Sequence, residues 1–148
     1  MDLTLRRMER AVLDEVAALE AAAFSRPWMR SDFEKSLEME ERIYCVACAG
    51  EKVVAVAGLI CSAPEAELMN VSVDSGFRKQ GIAEKLLRFL FEEGKGSGIT
   101  DIVLEVRKNN IPAIGLYEKL GFKREGLIKN CYTDPVEDGL VYWLRKDS

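Results

Sequence analysis

The sequence predicts an α+β domain in which a mixed, mostly antiparallel sheet is flanked by helices. Short apolar runs typical of strands recur between longer segments whose apolar residues follow the spacing of a helix. These elements alternate along the chain without a linker-like break, and 148 residues, of which 48% are hydrophobic, suffice for one core. We therefore expect residues 1–148 to form a single domain with the element order β-α-α-β-β-β-α-β-α-β-β.

In the first half of the chain, turn and capping residues separate five predicted elements. Ser31 is followed three residues later by Glu34, a spacing that resembles a capping box and predicts the start of a short helix. Gly50 lies between two apolar runs, as in a β-hairpin. The predicted elements are a strand at residues 3–7, a helix at 12–24, a helix at 31–37, and strands at 44–49 and 53–60.

The second half opens with a strand at residues 68–73, followed by an amphipathic helix that starts near Gly81 and ends in a glycine-rich segment. Asn110 can cap a later helix that carries a proline in its first turn and stops at Gly121. The remaining predicted elements are strands at residues 102–106, 122–132 and 140–145.

Composition and charge exclude several classes of protein. A formal net charge of −4 and a pI near 5.1 argue against a nucleic-acid-binding surface. No apolar run approaches the roughly 20 residues that span a bilayer, and no leader-like segment opens the chain, so we expect a cytoplasmic protein without a membrane partner. The absence of histidine removes Ser-His-Asp and Cys-His catalysis and the commonest metal sites, so we expect no metal.

Two of the four cysteines, Cys45 and Cys48, form a C-x-x-C sequence that could indicate zinc or redox chemistry. Their odd spacing in a predicted strand places the two thiols on opposite faces, whereas chelation needs a turn and further ligands. We interpret them as small core residues in a reducing compartment.

The turn at residues 78–83 is the most informative segment of the chain. It joins a predicted strand to a predicted helix and contains Arg78, Lys79 and Gly81. A helix N-terminus presents unpaired backbone N–H groups, which together with nearby cations can hold a pyrophosphate. A solvated turn without a ligand is an equally good interpretation of this segment alone.

Two ionisable residues lie where ligands collect in such sheets. Glu105 falls in an apolar run that predicts a strand buried on both faces; it could form an ion pair with Arg107, or it could relay a proton through water. Tyr117 falls on a helical stripe and could be a core residue, or its phenol could protonate a leaving thiolate. The residues alone leave both pairs of alternatives open.

Three ordered motifs together resemble the GNAT family of N-acetyltransferases. The segment at residues 70–74 is followed by Arg-Lys-Gln-Gly-Ile-Ala at residues 78–83, which is similar to the R/Q-x-x-G-x-G/A signature of that family. Leu-Glu-Val-Arg at residues 104–107, then Asn110 and the segment at residues 113–122, resemble its RimI branch, whose members acetylate protein N-termini. The resemblance runs through most of the chain.

The resemblance implies a GNAT fold, acetyl-CoA as cosubstrate, and direct attack of an amine on the thioester in a ternary complex. Glu105 would be the general base, acting through water, and Tyr117 would be the acid that protonates the CoA thiolate. The implied acceptor is a protein N-terminus, with the N-terminal alanine of a small-subunit ribosomal protein favoured, and the enzyme would be a monomer or weak dimer. The residues that would bind acetyl-CoA are Val71, Ser72, Val73, Arg78, Lys79, Gln80, Gly81, Ile82, Ala83 and Asn110.

One departure from the family pattern concerns the acceptor side. Cys131 stands where RimI-type enzymes typically have a tyrosine, which affects the expected peptide specificity more than the expected catalysis. Two alternative functions remain: a GNAT enzyme that acetylates a small-molecule amine or a lysine side chain, and a non-catalytic acyl-CoA-binding module. Retention of Glu105 and Tyr117 argues against the module, since a sensor needs neither an acid nor a base.

Overall fold

The computed structural model describes residues 2–146 and has the predicted order of strands and helices. Two short 3₁₀ turns, Arg10–Val12 and Ser75–Phe77, are added to that order. The elements are β1 (Leu3–Arg7), α1 (Leu13–Ala23), α2 (Arg30–Leu37), β2 (Arg42–Ala49), β3 (Lys52–Ser62), β4 (Glu65–Val73), α3 (Ile82–Gly96), β5 (Asp101–Arg107), α4 (Ile111–Lys119), β6 (Lys123–Tyr132) and β7 (Glu137–Leu144).

The seven strands form one sheet in the order β1-β2-β3-β4-β5-β7-β6. The pair β4–β5 is parallel and the other neighbouring pairs are antiparallel, so the prediction of a mixed, mostly antiparallel sheet is confirmed. The parallel pair needs a crossover, and α3 supplies it.

Two apolar clusters cover the faces of the sheet. On one face α3 packs its buried stripe of Leu86, Leu87 and Leu90 against the central strands. On the other face α1 and α2 bury Val16 and Phe33, which are fully enclosed. Cys45 belongs to the first cluster and Cys48 to the second, so their predicted placement on opposite faces is confirmed. All four cysteines are free thiols.

The start of α2 differs from the prediction. The helix begins at Arg30 with Met29 as its N-cap, and the Asp32 carboxylate accepts a hydrogen bond of 2.8 Å from the Met29 backbone N–H. The predicted capping box, which began at Ser31, is therefore wrong by two residues. A carboxylate three residues after the N-cap stabilises the helix start whether or not the N-cap side chain takes part, which explains why Asp32 fixes the start instead.

Each helix within residues 2–146 is too short or too polar to cross a bilayer.

Candidate functional site

The centre of the sheet opens into a wedge between β4 and β5. These strands pair only through Glu65, Ala66 and Glu67, which lie opposite residues 101–103. Beyond that point β4 continues to Val73 without a partner on its β5 side, while β5 continues beside β7. The N–H and C=O groups of β4 that face the wedge are thus available to an extended ligand, which can add to the sheet as a strand would. Val71, Ser72 and Val73 lie along this part of β4.

A β-bulge lies at the start of the unpaired part of β4. Val56 pairs with Ser72 and Gly58 with Met69, so one residue of β3 stands opposite two residues of β4. Asn70, one of those two, has a φ of 58°, in the left-handed region. Bulges redirect the backbone that follows them, and this one directs residues 71–73 along the wedge.

The turn after β4 has the predicted strand–turn–helix form. Gly81 is the N-cap of α3 with a φ of 75°, and a Cβ at this position would meet no heavy atom within 4 Å. Lys79 also has a positive φ, and the Arg78 guanidinium donates a hydrogen bond of 3.4 Å to the Val73 carbonyl. Gln80, Ile82 and Ala83 complete the turn, where the first backbone N–H groups of α3 have no partner within the helix. The arrangement provides a cationic, open helix N-terminus suited to an anion.

Asn110 caps the helix that follows β5. Its side-chain carbonyl accepts a hydrogen bond of 3.3 Å from the Ala113 N–H, and Pro112 occupies the first turn, as the sequence predicts. Its amide –NH₂ remains available to a ligand, because the capping bond uses only the oxygen. Gly121, with a φ of 100°, follows the end of the helix and confirms the predicted stop.

Glu105 lies on β5 beside the wedge, and its side chain is exposed. The expectation that β5 is buried on both faces is wrong. Ile102, Leu104 and Val106 are buried on the face covered by α3, whereas Val103 and Glu105 face the side of α1 and α2 and retain access to solvent. On that side α1 and α2 pack against β2, β3 and β4 and leave the face of β5 open, which a continuous apolar run in the sequence does not reveal.

The alternative in which Glu105 pairs with Arg107 is not observed. The Arg107 guanidinium instead binds the Glu137 carboxylate at 3.2 Å and the backbone carbonyls of Thr133 and Pro135 at 2.9 and 3.0 Å. These bonds hold the β6–β7 turn against the end of β5. Within residues 2–146, Glu105 has no salt bridge of its own and so remains available for other partners.

Cys131 is the side chain that contacts Glu105. Its thiol donates a hydrogen bond of 3.6 Å to the carboxylate, and a break in the β6–β7 register between Ile128 and Tyr132 turns it inward. Gly139 makes room for it, because a Cβ there would lie 2.9 Å from the sulfur. Burial raises the pKa of the Cys131 thiol, and the negative charge of Glu105 raises it further.

Tyr117 lies on α4, and its ring packs against Phe122 at a centroid distance of 5.9 Å. The residue is 7% exposed, and its hydroxyl makes no hydrogen bond to the described part of the chain. Burial raises the pKa of Tyr117 to about 12, so the phenol is protonated at neutral pH and can act as a donor. Tyr117 belongs to the core on the face of α3, whereas Glu105 points to the opposite face.

Two further residues join these groups and were not assigned a role from the sequence. Burial raises the pKa of Tyr132 to about 12; the negative charge of Glu105 adds to that rise, and the positive charge of Arg107 opposes it. Tyr132 directly follows Cys131, whose thiol contacts Glu105, and the Arg107 guanidinium lies 4.5 Å from the centre of the Tyr132 ring. Burial raises the pKa of Glu67 as well, and repulsion from Glu105 adds to that rise. Only the fold brings Glu67 and Tyr132 near Glu105.

Known proteins resemble this chain along most of its length. The model of the acetyltransferase (GNAT) family matches residues 13–122. The chain is 32% identical over 143 residues to the ribosomal protein bS18-alanine N-acetyltransferase of Escherichia coli (strain K12), a match that covers 95% of this chain and 96% of that protein. It is 33% identical over 152 residues to the N-alpha-acetyltransferase RimI of Mycobacterium tuberculosis, with 99% and 93% covered.

Solved structures give the same result. The crystal structure of the ribosomal-protein-S18-alanine N-acetyltransferase from Escherichia coli superimposes with a TM-score of 0.87 at 31% identity, covering 97% of this chain and 93% of that one. Ard1 from Thermoplasma volcanium superimposes with the same TM-score at 20% identity, which shows that the fold is shared.

Proposed function

Because this chain belongs to the acetyltransferase (GNAT) family, we propose that it transfers the acetyl group of acetyl-CoA to the α-amino group of a protein N-terminus. The favoured acceptor is the N-terminal alanine of a small-subunit ribosomal protein. The observation that carries this proposal is similarity along nearly the whole chain to enzymes named for that reaction. The fold class and the wedge beside Glu105 support it.

The donor would lie in the wedge. The backbone groups of Val71 and Val73 would pair with the extended pantetheine arm, and the free amide of Asn110 would contact the same arm. The pyrophosphate would bind the backbone N–H groups of residues 80–83, with Arg78 and Lys79 adding positive charge. The open space around Gly81 fits the close approach that such binding requires.

The acceptor amine would enter from the face of α1 and α2, where Glu105 is exposed. An amine attacks only when neutral, and an α-amino group, with an ordinary pKa of about 7.7–8.0, loses its proton more easily than lysine, at about 10.4. Glu105 would first remove that proton through water, and the neutral amine would then attack the thioester carbonyl. Tyr117, on the other face, would give its phenolic proton to the departing sulfur of CoA. Base and acid would thus act from opposite sides of the sheet.

Holding both reactants in the wedge would supply much of the rate acceleration. Correct orientation of two bound reactants can lower a barrier by roughly 7–11 kcal/mol. A carboxylate and a phenol with ordinary proton-transfer roles are therefore sufficient, and the proposed mechanism uses no covalent acyl-enzyme.

Intact-mass analysis of acetylated peptides tests the proposal. A peptide that begins with alanine and also contains an internal lysine is incubated with the protein and acetyl-CoA, beside a matched peptide whose N-terminus is blocked. We expect one added acetyl group, located on the α-amine by fragmentation, and no modification of the blocked peptide. Acetylation of the lysine in both peptides would contradict the proposal and favour the alternative acceptors. CoA binding without acetylation of either peptide, or of any protein in a cell lysate, would favour a non-catalytic module.

A further inference from the structure

A buried carboxyl group lies between α1 and the bulge of β4. Glu20, on the last turn of α1, is 4% exposed, and one of its oxygens, Oε1, is buried without a hydrogen-bond partner. Its other oxygen, Oε2, accepts two bonds of 3.2 Å, one from the backbone N–H of Trp28 and one from the side-chain amide of Asn70. Burying a carboxyl group is unfavourable unless its surroundings compensate for lost hydration. Such a group calls for an explanation beyond packing.

Asn70, the second member of the network, occupies the left-handed conformation of the bulge. Its side-chain oxygen accepts a bond of 2.6 Å from the hydroxyl of Tyr44, while its nitrogen donates to Glu20. Both ends of the amide are therefore fixed. The Tyr44 ring lies across Gly58, where any Cβ would overlap it. Two neighbours from different elements thus hold a backbone conformation that residues other than glycine adopt at a cost.

Trp28, the third member, lies in the connector between α1 and α2. Its ring packs 5.2 Å from Phe33 and 5.8 Å from Tyr44, and its backbone N–H donates to Glu20. The same connector reaches the β6–β7 turn through a salt bridge of 3.1 Å between Arg26 and Asp134. One carboxyl group therefore contacts both the connector on the face where Glu105 is exposed and the strand that borders the wedge.

We propose that Glu20 is a positioning residue for acetyl transfer: through Asn70 it fixes the bulge that directs residues 71–73 along the wedge, and through the Trp28 N–H it fixes the connector on the acceptor side. This inference rests on the proposed function for its acceptor half. Its donor half concerns only the binding of CoA. Glu20 contacts neither reactant in this arrangement and acts through the backbone of its two partners.

Two substitutions of Glu20 separate this role from general stability. Glu20→Gln keeps a carbonyl that can accept from both Trp28 and Asn70, whereas Glu20→Leu keeps the bulk and removes the acceptor. We expect Glu20→Leu to weaken CoA binding about tenfold, because loss of one or two hydrogen bonds of this kind corresponds to roughly that factor. The KM of this variant for the peptide should rise as well. In the Glu20→Gln variant both values should remain those of the parent.

The matched control is Glu15→Leu. Glu15 lies on the same helix, and its carboxylate also accepts from a backbone N–H, that of Val53, at 3.0 Å, but it contacts neither Asn70 nor Trp28. Glu15→Leu should change the free energy of unfolding without changing CoA affinity. Asn70→Gly is a second variant, because glycine keeps access to the left-handed conformation but loses both side-chain bonds. It should weaken CoA binding even if Glu20→Leu does not fold.

Titration calorimetry with CoA measures the donor half without any acceptor peptide, so it remains informative if N-terminal acetylation is not found. Parent-like CoA affinity in folded Glu20→Leu and in Asn70→Gly would overturn the proposal. Equal weakening by Glu15→Leu would also overturn it, because the effect would then belong to α1 as a whole. Weakened CoA binding in Glu20→Leu, together with parent-like binding in Glu20→Gln, would support it.

Discussion

At the scale of single residues, the contact between Cys131 and Glu105 gives the site a group that can be followed chemically. A thiolate reacts with iodoacetamide and a thiol does not, so the rate of alkylation reports the pKa of the thiol. Glu105 contributes to the raised pKa of Cys131. We therefore predict that Glu105→Gln lowers that pKa and speeds alkylation of Cys131 at a given pH, as measured by peptide mass spectrometry.

Cys61 provides the internal control for that measurement. Burial raises its pKa too, but the nearby charges are those of Arg7 and Glu41. Its alkylation rate should be the same in both proteins. An unchanged rate at Cys131 would mean that the two side chains are not in contact in solution.

The phenol of Tyr117 permits a second test at this scale. Tyr117→Phe should bind CoA almost normally but acetylate peptide about 10²–10⁴-fold more slowly, because only the proposed acid is lost. Mass spectrometry of samples quenched at successive times gives the rate of acetylation, and calorimetry gives the affinity for CoA. Tyr142→Phe is the comparison: it removes a phenol hydroxyl that donates to Glu118 at 3.0 Å and has no proposed role in the transfer, and it should leave the rate unchanged. Full activity of Tyr117→Phe would remove the acid role.

Glu20 also makes stability depend on pH. Burial raises the pKa of its carboxyl group, and the bonds from Trp28 and Asn70 offset only part of that rise. Because the carboxyl group binds its proton more tightly in the folded state than in the unfolded state, protonation stabilises the fold below pH 4.5, the ordinary pKa of the group. That contribution is lost as the pH rises through the raised pKa of the folded state. Glu20→Gln, which is neutral at every pH, should therefore be more stable than the parent near pH 7, and the difference should disappear toward pH 4. Thermal unfolding across this range measures it, and a gap that widened on acidification would contradict the prediction.

At the scale of elements, the start of α3 depends on the backbone freedom of Gly81. Its φ of 75° is unfavourable for a residue with a Cβ, although space for the methyl group exists. Gly81→Ala should lower the free energy of unfolding by about 1 kcal/mol and weaken CoA binding. Gly115→Ala is the matched control, because Gly115 lies inside α4 with open space around it and without a positive φ. That change should stabilise the protein by up to about 1 kcal/mol. Denaturant titration distinguishes the two signs.

The elements themselves could be predicted from the sequence, but their irregularities could not. Amphipathic spacing predicts α3, and Asn110 with the following proline predicts the start of α4, since these signals act within a few residues. The bulge at Asn70 and the separation of β4 from β5 depend on partners far along the chain. For the same reason the sequence suggested Glu105 and Tyr117 but gave no sign of Glu67 or Tyr132 as their neighbours. Glu20, an ordinary acidic residue in a helical pattern, carries no local signal of its burial.

At the scale of the whole molecule, the sheet couples two cores that support different sides of the wedge. Phe33 anchors the cluster beneath α1 and α2, and Leu87 anchors the cluster beneath α3; both are fully buried. Phe33→Ala should lower the free energy of unfolding by about 3–5 kcal/mol, and Leu87→Ala should lower it by about 2–5 kcal/mol. Because strands β2 and β3 contribute to both clusters, each variant should unfold in a single transition.

Circular dichroism and tryptophan fluorescence, both recorded in a Trp143→Phe background, check that expectation. Trp28 is then the remaining tryptophan, and because its ring packs 5.2 Å from Phe33 it reports one cluster directly. The two signals should change at the same temperature in the parent and in both variants. Earlier loss of the fluorescence signal in Phe33→Ala would show that the half of the molecule around α1 and α2 unfolds by itself.

The unpaired backbone of β4 has one more consequence. In the proposed mode of binding, main-chain pairing along β4 and the N-terminus of α3 would hold the pantetheine arm and the pyrophosphate, which are identical in acetyl-CoA and in free CoA. Free CoA would therefore bind about as tightly as acetyl-CoA. The rate of turnover would then depend on the ratio of their concentrations in the cell rather than on the concentration of either one. An enzyme built in this way slows when its supply of activated acyl groups falls, without needing a separate regulatory site.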